Sequence, residues 1–179
     1  RAAPRHPDTL PLSVLCELGE LRQRNTLRRW LRQLGLPLPD SRQLRHILRD
    51  TLTAGRDRQP CVRWPGGEVR RYRDTLYAMS PLPPHDARRT YSWYSTTDGW
   101  QPLDLPNVGR LRLQEATGSG LRADALAGSL LKIGFRQGGE RFQPSGRSHG
   151  QELKKLLQEA GIPPWKRDRL PLLHADGKL

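Results

Sequence analysis

The stretch RNTLRRWLRQLGLPLPDSRQLRHILRDTLTAG (residues 24–55), followed by CVRWPGGEVRRYRDTLYAM (61–79), decides the fold class. In its first half Leu27, Trp30, Leu31 and Leu34 recur at the spacing of an amphipathic helix, with Arg24, Arg28, Arg29 and Arg32 on the other face. Gly35 ends this helix, and Pro37 and Pro39 prevent its continuation. A second helix starts at Asp40 or Ser41, either of which can cap it. It turns Leu44, Ile47, Leu48 and Leu52 inward and Arg42, Arg45 and Arg49 outward, and Gly55 is its expected stop. The period then switches to that of strands. Cys61 to Trp64 and Glu68 to Tyr72 flank a Pro65-Gly66-Gly67 turn, and Thr75 to Met79 follows a turn at Arg73-Asp74. Two helices followed by a small antiparallel meander is an α+β pattern.

Upstream of this block lies a loose, Pro-containing stretch with no assigned element. Downstream, Ser80-Pro81-Leu82-Pro83-Pro84 suits a stiff connector. The expected organisation is a first domain at 1–80, a Pro-rich linker at 81–90 and a second domain at 91–179. In the second, Tyr91, Trp93, Tyr94 and Trp100 form an aromatic cluster. A strand from Val108 to Leu113 turns Leu111 and Leu113 to one face and Arg110 and Arg112 to the other. Thr117 to Gly128 reads as a loop. Leu131, Ile133 and Phe135 alternate, Gly138-Gly139 can turn, and Arg141-Phe142 is read as the returning strand of a hairpin. Ser148 and Gln151 have capping-box spacing, so a helix is expected to start there, with Leu153, Leu156, Leu157 and Ala160 buried and Gly161 as its end. Ile162 to Leu173 reads as a Pro-bounded turn with a short helix at Pro164–Arg167. The expected fold is therefore α+β in two small domains: the first helical with a small antiparallel meander, the second a small antiparallel sheet packed with helices.

The 179 residues carry 31 Lys+Arg against 18 Asp+Glu, a net charge of +13, and the arginines recur along the whole length rather than in one block. Interleaved Leu and five Trp argue for folded surfaces, not a disordered basic tail. Such a surface attracts phosphate by counterion release; solvated surplus arginine is the alternative. Cys16 and Cys61 have neither CxxC nor Cys-His spacing, so no zinc site is expected, and both are read as packed thiols. No stretch has the roughly 18 apolar residues of a membrane helix, and RAAPRHPD lacks the apolar core of a signal peptide. The expected setting is cytoplasmic, with no membrane. Residue 1 is Arg, which suggests a piece of a longer protein.

No catalytic constellation stands out. GxxxxGK[ST] and HExxH are both missing from the sequence. Pro65-Gly66-Gly67 and Gln137-Gly138-Gly139 sit between strand signals and suit turns better than phosphate loops. His149 is read as structural or phosphate-facing, and Asp168, between Arg167 and Arg169, as an ion-pair or cap residue. Catalytic, cofactor-binding and metal-binding residues are accordingly none. Nucleic-acid binding has more behind it. Arg70, Arg71 and Arg73 crowd one hairpin around Tyr72, while Arg136, Arg141, Arg147, His149, Lys154, Lys155, Lys166 and Arg167 lie on elements expected to be neighbours. RNA stems are held largely through phosphate, 2′-hydroxyl and shape. The candidate RNA-binding set is Arg28, Arg70, Arg71, Arg73, Arg136, Arg147, His149, Lys154, Lys155 and Arg167. Trp64, Tyr72 and Trp165 can either stack on bases or pack as core and turn residues.

From Gly138 onward, GGERFQPSGRSHGQELKKLLQEAGIPPWKRDRLPLL closely resembles the C-terminal domain of bacterial tRNA(Ile)-lysidine synthetases. The shared features are Gly146-Arg147, Leu153-Lys154-Lys155, Pro163-Pro164-Trp165, Arg167-Asp168 and Pro171-Leu172. Leu21-Arg22-Gln23-Arg24-Asn25, Leu27-Arg28-Arg29-Trp30-Leu31, Val62-Arg63 and Glu68-Val69-Arg70-Arg71-Tyr72-Arg73 resemble the family's central substrate-recognition domain. The resemblance implies a full-length ligase that uses ATP, with magnesium, to activate the wobble cytidine of a CAU-anticodon isoleucine tRNA and joins lysine to it. That chemistry belongs to an N-terminal ATP-pyrophosphatase domain marked by Ser-Gly-Gly-x-Asp-Ser, a loop this sequence lacks. This chain is then expected to be inert alone, to use no cofactor itself, and to partner tRNA and its own catalytic domain; a homodimer is left open. The resemblance also implies at least one more strand after Lys178. Two other readings stand beside it: a stand-alone RNA-binding module, and a protein-interaction or dimerisation module with a basic solvated surface.

Overall fold

In a computed structural model the residues described are 9–55, 58–96, 99–118, 120–122, 126, 130–144, 146 and 148–179, with the side chain of Thr96 left aside. The chain is mixed α+β and divides into two compact units, residues 1–82 and 83–179.

The first unit opens with β1 (Thr9–Pro11), α1 (Leu12–Cys16), α2 (Glu20–Gln33) and α3 (Ser41–Thr53), followed by β2 (Cys61–Trp64), β3 (Gly67–Tyr72) and β4 (Thr75–Met79). The described part of the stretch read as loose in the sequence, from Thr9 on, forms regular elements. Thr9–Pro11 adds to the meander beside β4, giving the antiparallel order β1-β4-β3-β2, and Leu12 and Leu15 of α1 are buried. Asp40 caps α3 in a reciprocal box: its carboxylate accepts from the Gln43 N–H at 2.6 Å while the Gln43 side chain accepts from the Asp40 N–H at 2.9 Å. A cap of this kind is worth about 1 kcal/mol.

Leu27, Trp30 and Leu31 from α2 meet Leu44, Ile47 and Leu48 from α3 over Val62, Trp64, Val69, Leu76 and Ala78 of the sheet, in one continuous core. Each such large side chain contributes roughly 1.5–3 kcal/mol by leaving water. The Pro65–Gly66 turn brings Gly67 directly under the Trp64 indole, where a Cβ would sit 2.3 Å from the ring. Glycine is required there. The same indole donates its N–H to the Pro37 carbonyl at 2.8 Å and so ties the meander to the α2–α3 connection.

The second unit contains β5 (Tyr91–Trp93), β6 (Ser95–Thr96), β7 (Gly99–Trp100), β8 (Leu103–Leu105), β9 (Gly109–Leu111), β10 (Leu131–Phe135), β11 (Arg141–Phe142), β12 (Gln151–Glu152), α4 (Leu153–Glu159), α5 (Pro164–Arg167) and β13 (Pro171–Ala175). Its main sheet is β13-β10-β5, with two-stranded ribbons β6-β7, β8-β9 and β11-β12. Trp93, Leu105, Leu131, Ile133 and Phe135 form one buried cluster; Leu153, Leu157 and Leu172 form another. Trp93 packs edge-on against Trp100 at 5.7 Å and donates to the Gln101 carbonyl at 2.7 Å, while Tyr94, read with them as one cluster, is exposed.

Several expectations are corrected here. The hairpin read across Gly138-Gly139 does not form: β10 pairs with β5 and β13, and β11 pairs with β12. Leu131, Ile133, Gly134 and Phe135 are all buried, so β10 takes the central place in its sheet and needs a neighbour on each side. Both glycines do take positive φ, in a loop closed when the Glu140 carboxylate accepts the N–H groups of Gln137 at 2.5 Å and Gly138 at 2.8 Å. Ser148 does not start a helix. Gln151 and Glu152 pair with Phe142 and Arg141, so α4 begins at Leu153, and the Ser148 hydroxyl contacts the His149 ring instead at 2.7 Å.

The short helix at Pro164–Arg167 forms as expected, but the end of the Pro-bounded segment is strand β13, with Pro171 at its first position, where no ladder donor is required. The strand read as Val108 to Leu113 is shorter, Gly109–Leu111, paired with β8. Cys16 and Cys61 are exposed free thiols rather than packed ones. Most of the expected loop at 117–128 lies outside the described residues. Among the described residues no helix is long and apolar enough to cross a membrane.

Candidate nucleic-acid interface

In the first unit the arginines sort by the face each element presents. Along α2 and α3, Arg22, Arg29, Arg32, Arg42, Arg45 and Arg49 are exposed, and Arg28 is half-buried. A groove of about 910 Å³ follows α3, lined by Arg42, Arg45, His46 and Arg49 together with Glu20 and Gln23 of α2. His46 pairs with Asp50 at 2.7 Å, and Arg49 also contacts Asp50 at 3.1 Å. Sequence reasoning treated Arg42, Arg45 and Arg49 only as the outer side of a helix. Their i, i+3, i+7 spacing, already readable in the sequence, places them on one face.

The meander behaves differently. Arg71 is 6% exposed and points into the helix layer. Its guanidinium donates to the carbonyls of Thr51 at 2.6 Å, Ala54 at 2.8 Å and Arg73 at 2.9 Å. Helix C-termini leave carbonyls without intrahelical donors and carry the negative end of the dipole. Arg71 answers both needs of α3 from the neighbouring strand. Arg70, on the opposite face, donates through Nε to Glu68 at 2.8 Å. Arg73 is exposed at positive φ in the turn, with its guanidinium 5.2 Å from the centre of the Tyr72 ring. Trp64 and Tyr72 are buried.

Arg63, for which the sequence pattern alone names no partner, stands directly opposite Glu68 and donates to it at 2.9 Å. The Arg63 guanidinium holds its proton more tightly than an ordinary arginine, first through that hydrogen bond and then through the nearby charges of Cys61 and Glu68.

In the second unit, Lys154 and Lys155 are exposed on α4, opposite the buried Leu153 and Leu157. Arg141 sits across from Glu152 at the head of this helix and donates to the Gly150 carbonyl at 2.7 Å; exposed His149 is next to that glycine. Arg141, His149, Lys154 and Lys155 are thus gathered about one ribbon and helix start. Arg136 is mostly buried, between Glu140 at 3.7 Å and Asp168 at 3.4 Å. Arg167 is buried and donates to the Ile162 carbonyl at 2.6 Å, closing the turn between the two helices, and Trp165 is buried beside it. Arg147 lies outside the described residues.

Burial alone would raise the Glu140 carboxyl. The N–H groups of Gln137, Glu140 itself and Gly138, with Arg136 close by, outweigh it and hold the group below its ordinary value. Asp104 is also lowered, chiefly by its hydrogen bond from Arg110. Among the described residues no group of three or more His, Cys, Asp or Glu is placed to hold a metal ion.

By fold and surface the chain is a strongly basic α+β protein of two compact units, with cations outside its cores and a few arginines locked inside them. Two family models match it: the TilS substrate binding domain over residues 10–77 and the TilS substrate C-terminal domain over residues 131–179. It is 37% identical over 177 residues to the tRNA(Ile)-lysidine synthase of Methylococcus capsulatus, an alignment covering 99% of this chain and 39% of that protein. It is 41% identical to the protein of that name from Alkalilimnicola ehrlichii (94% and 38% covered), and 39% identical to the one from Coxiella burnetii (95% and 37%). The chain belongs to the tRNA(Ile)-lysidine synthase family. It spans about two fifths of the length of these curated relatives.

Proposed function

We propose that this chain is the tRNA-holding part of a tRNA(Ile)-lysidine synthase, and that it grips tRNA through phosphate and shape. The observation that carries this reading is that both matched domains fall on units whose exposed cations crowd defined helix faces, Arg42, Arg45 and Arg49 on α3 and Lys154 and Lys155 on α4. Exposed cations on rigid helices bind phosphate and release counterions. The candidate contacts are therefore the exposed members of the predicted set, Arg73, His149, Lys154 and Lys155, with Arg28 at the edge of its helix. Arg71 and Arg167 serve as scaffold.

In the full-length protein, the ATP- and magnesium-dependent activation of the wobble cytidine and its joining to lysine belong to a catalytic domain N-terminal to this part. The present chain holds a CAU-anticodon isoleucine tRNA so that its anticodon loop reaches that domain, in the cytoplasm. Fixing the substrate's orientation in this way can supply several kcal/mol of rate enhancement, roughly 7–11 in the most favourable cases.

Binding of the chain to CAU-anticodon isoleucine tRNA and to initiator methionine tRNA, across a salt series, tests this. The two share an anticodon and differ in their stems. Steeply salt-dependent binding with preference for the isoleucine tRNA is the expected result. Binding without preference would move selectivity to the catalytic domain, and no binding to either would overturn the reading.

A further inference from the structure

We infer that the outer face of the meander carries a phosphate site in which Arg63 makes the contact and Glu68 is its positioning residue. The inference rests on the tRNA-binding reading above and adds to it a residue of like charge to the ligand. Glu68 is completely buried, and a carboxylate in that position requires charged partners to compensate its lost hydration. It has two. Its Oε1 accepts from Arg70 Nε at 2.8 Å and its Oε2 from Arg63 Nε at 2.9 Å. The register explains why they converge: Arg63 is the direct cross-strand partner of Glu68, and Arg70 follows two residues along the same strand and so shares its face.

The two arginines are not equivalent. The Arg70 side chain is 15% exposed and that of Arg63 is 64% exposed. Arg70 neutralises and anchors the carboxylate from within, and the carboxylate then fixes the guanidinium plane of Arg63 from below. Two guanidinia against one carboxylate leave a net charge of +1, carried by the exposed member. With its Nε–H held by Glu68, Arg63 directs its remaining N–H donors from a fixed plane, the arrangement suited to forked recognition of a phosphate. A free surface arginine must lose rotamer freedom when it binds; this one has lost much of it already. The ligand class is an RNA backbone phosphate.

The sign of one substitution separates this arrangement from a merely basic surface. Glu68→Gln removes a negative charge, so a surface acting through net charge alone would bind tRNA as well or better. A positioning carboxylate predicts the reverse. Affinity of the 179-residue chain for tRNA should fall about tenfold, the value of a charge-assisted hydrogen bond. The slope of log K against log salt should become shallower by about one, and adding Arg63→Ala to Glu68→Gln should cause no further loss. Equal or tighter binding by Glu68→Gln overturns the inference.

Should Glu68→Gln fail to fold, Arg63→Lys replaces it, since lysine keeps the charge but loses the planar fork. Weakened binding by a folded Arg63→Lys supports the inference, and unchanged binding overturns it. Failure of the underlying reading looks different: the unaltered chain would then show no salt-dependent tRNA binding at all, which overturns both.

Discussion

Strand β3 and helix α4 each carry a doublet of cations, Arg70-Arg71 and Lys154-Lys155, and the doublets end in different surroundings. On α4 the two lysines lie within the arc left over by the buried Leu153 and Leu157, so both stay in water. On β3, successive residues point to opposite faces. Arg71 therefore enters the helix layer and binds the end of α3, while Arg70 turns outward and binds Glu68. Adjacent cations on a helix can serve one ligand. Adjacent cations on a strand that has a layer on one side cannot.

The largest consequence concerns Arg71. Replacing it with Met leaves the carbonyls at the end of α3 without their donor, and removal of one member of a buried charged network is expected to cost about 3 kcal/mol. Urea unfolding of the first unit should show a lower midpoint with little change in slope; an unchanged midpoint would mean that water replaces the guanidinium at no loss. Lys154→Ala/Lys155→Ala should have the complementary effect. The stability of the chain should stay within about 0.5 kcal/mol of the original, as for surface changes generally. Its salt slope for tRNA should fall by about two, one for each phosphate no longer neutralised. A fall of zero would assign these lysines to solvent.

The smallest expected effect is on acid stability. Glu140 has a folded-state value below its unfolded one, so its contribution is present above the unfolded value of about 4.3 and is lost as pH falls through the lower folded value. Glu140→Gln should flatten this part of an acid-unfolding curve of the second unit, measured by near-ultraviolet circular dichroism. A curve superimposable on the original would show that the loop at 136–140 does not couple to unfolding.

Much of the first unit was legible because its signals are local. The leucine spacing of α2 and α3, the Asp40 cap and the glycines after Trp64 each fix their own element. The second unit was harder to read because its partners are distant in sequence. Leu131–Phe135 has a strand's alternation, but nothing near it says that its neighbours are Tyr91–Trp93 and Pro171–Ala175 rather than the next short apolar run. Ser148 and Gln151 have the spacing of a cap, yet cross-strand pairing at Gln151 and Glu152 takes those residues first. The site divides along the same line. Lys154 and Lys155 could be placed outside from helix periodicity alone. The burial of Arg71 and Arg167, and the meeting of Arg63 with Glu68, depend on which carbonyl or carboxylate the fold brings within reach.

That exposed helix cations hold tRNA while the buried strand arginine holds the fold is tested most directly by two quantities measured together: urea midpoint and salt slope of tRNA binding, for Lys154→Ala/Lys155→Ala beside Arg71→Lys. The expected result is a lower slope at an unchanged midpoint for the lysine pair, and a lower midpoint at an unchanged slope for Arg71→Lys. The opposite assignment, with Arg71→Lys reducing the slope while the protein keeps its full stability, would contradict it.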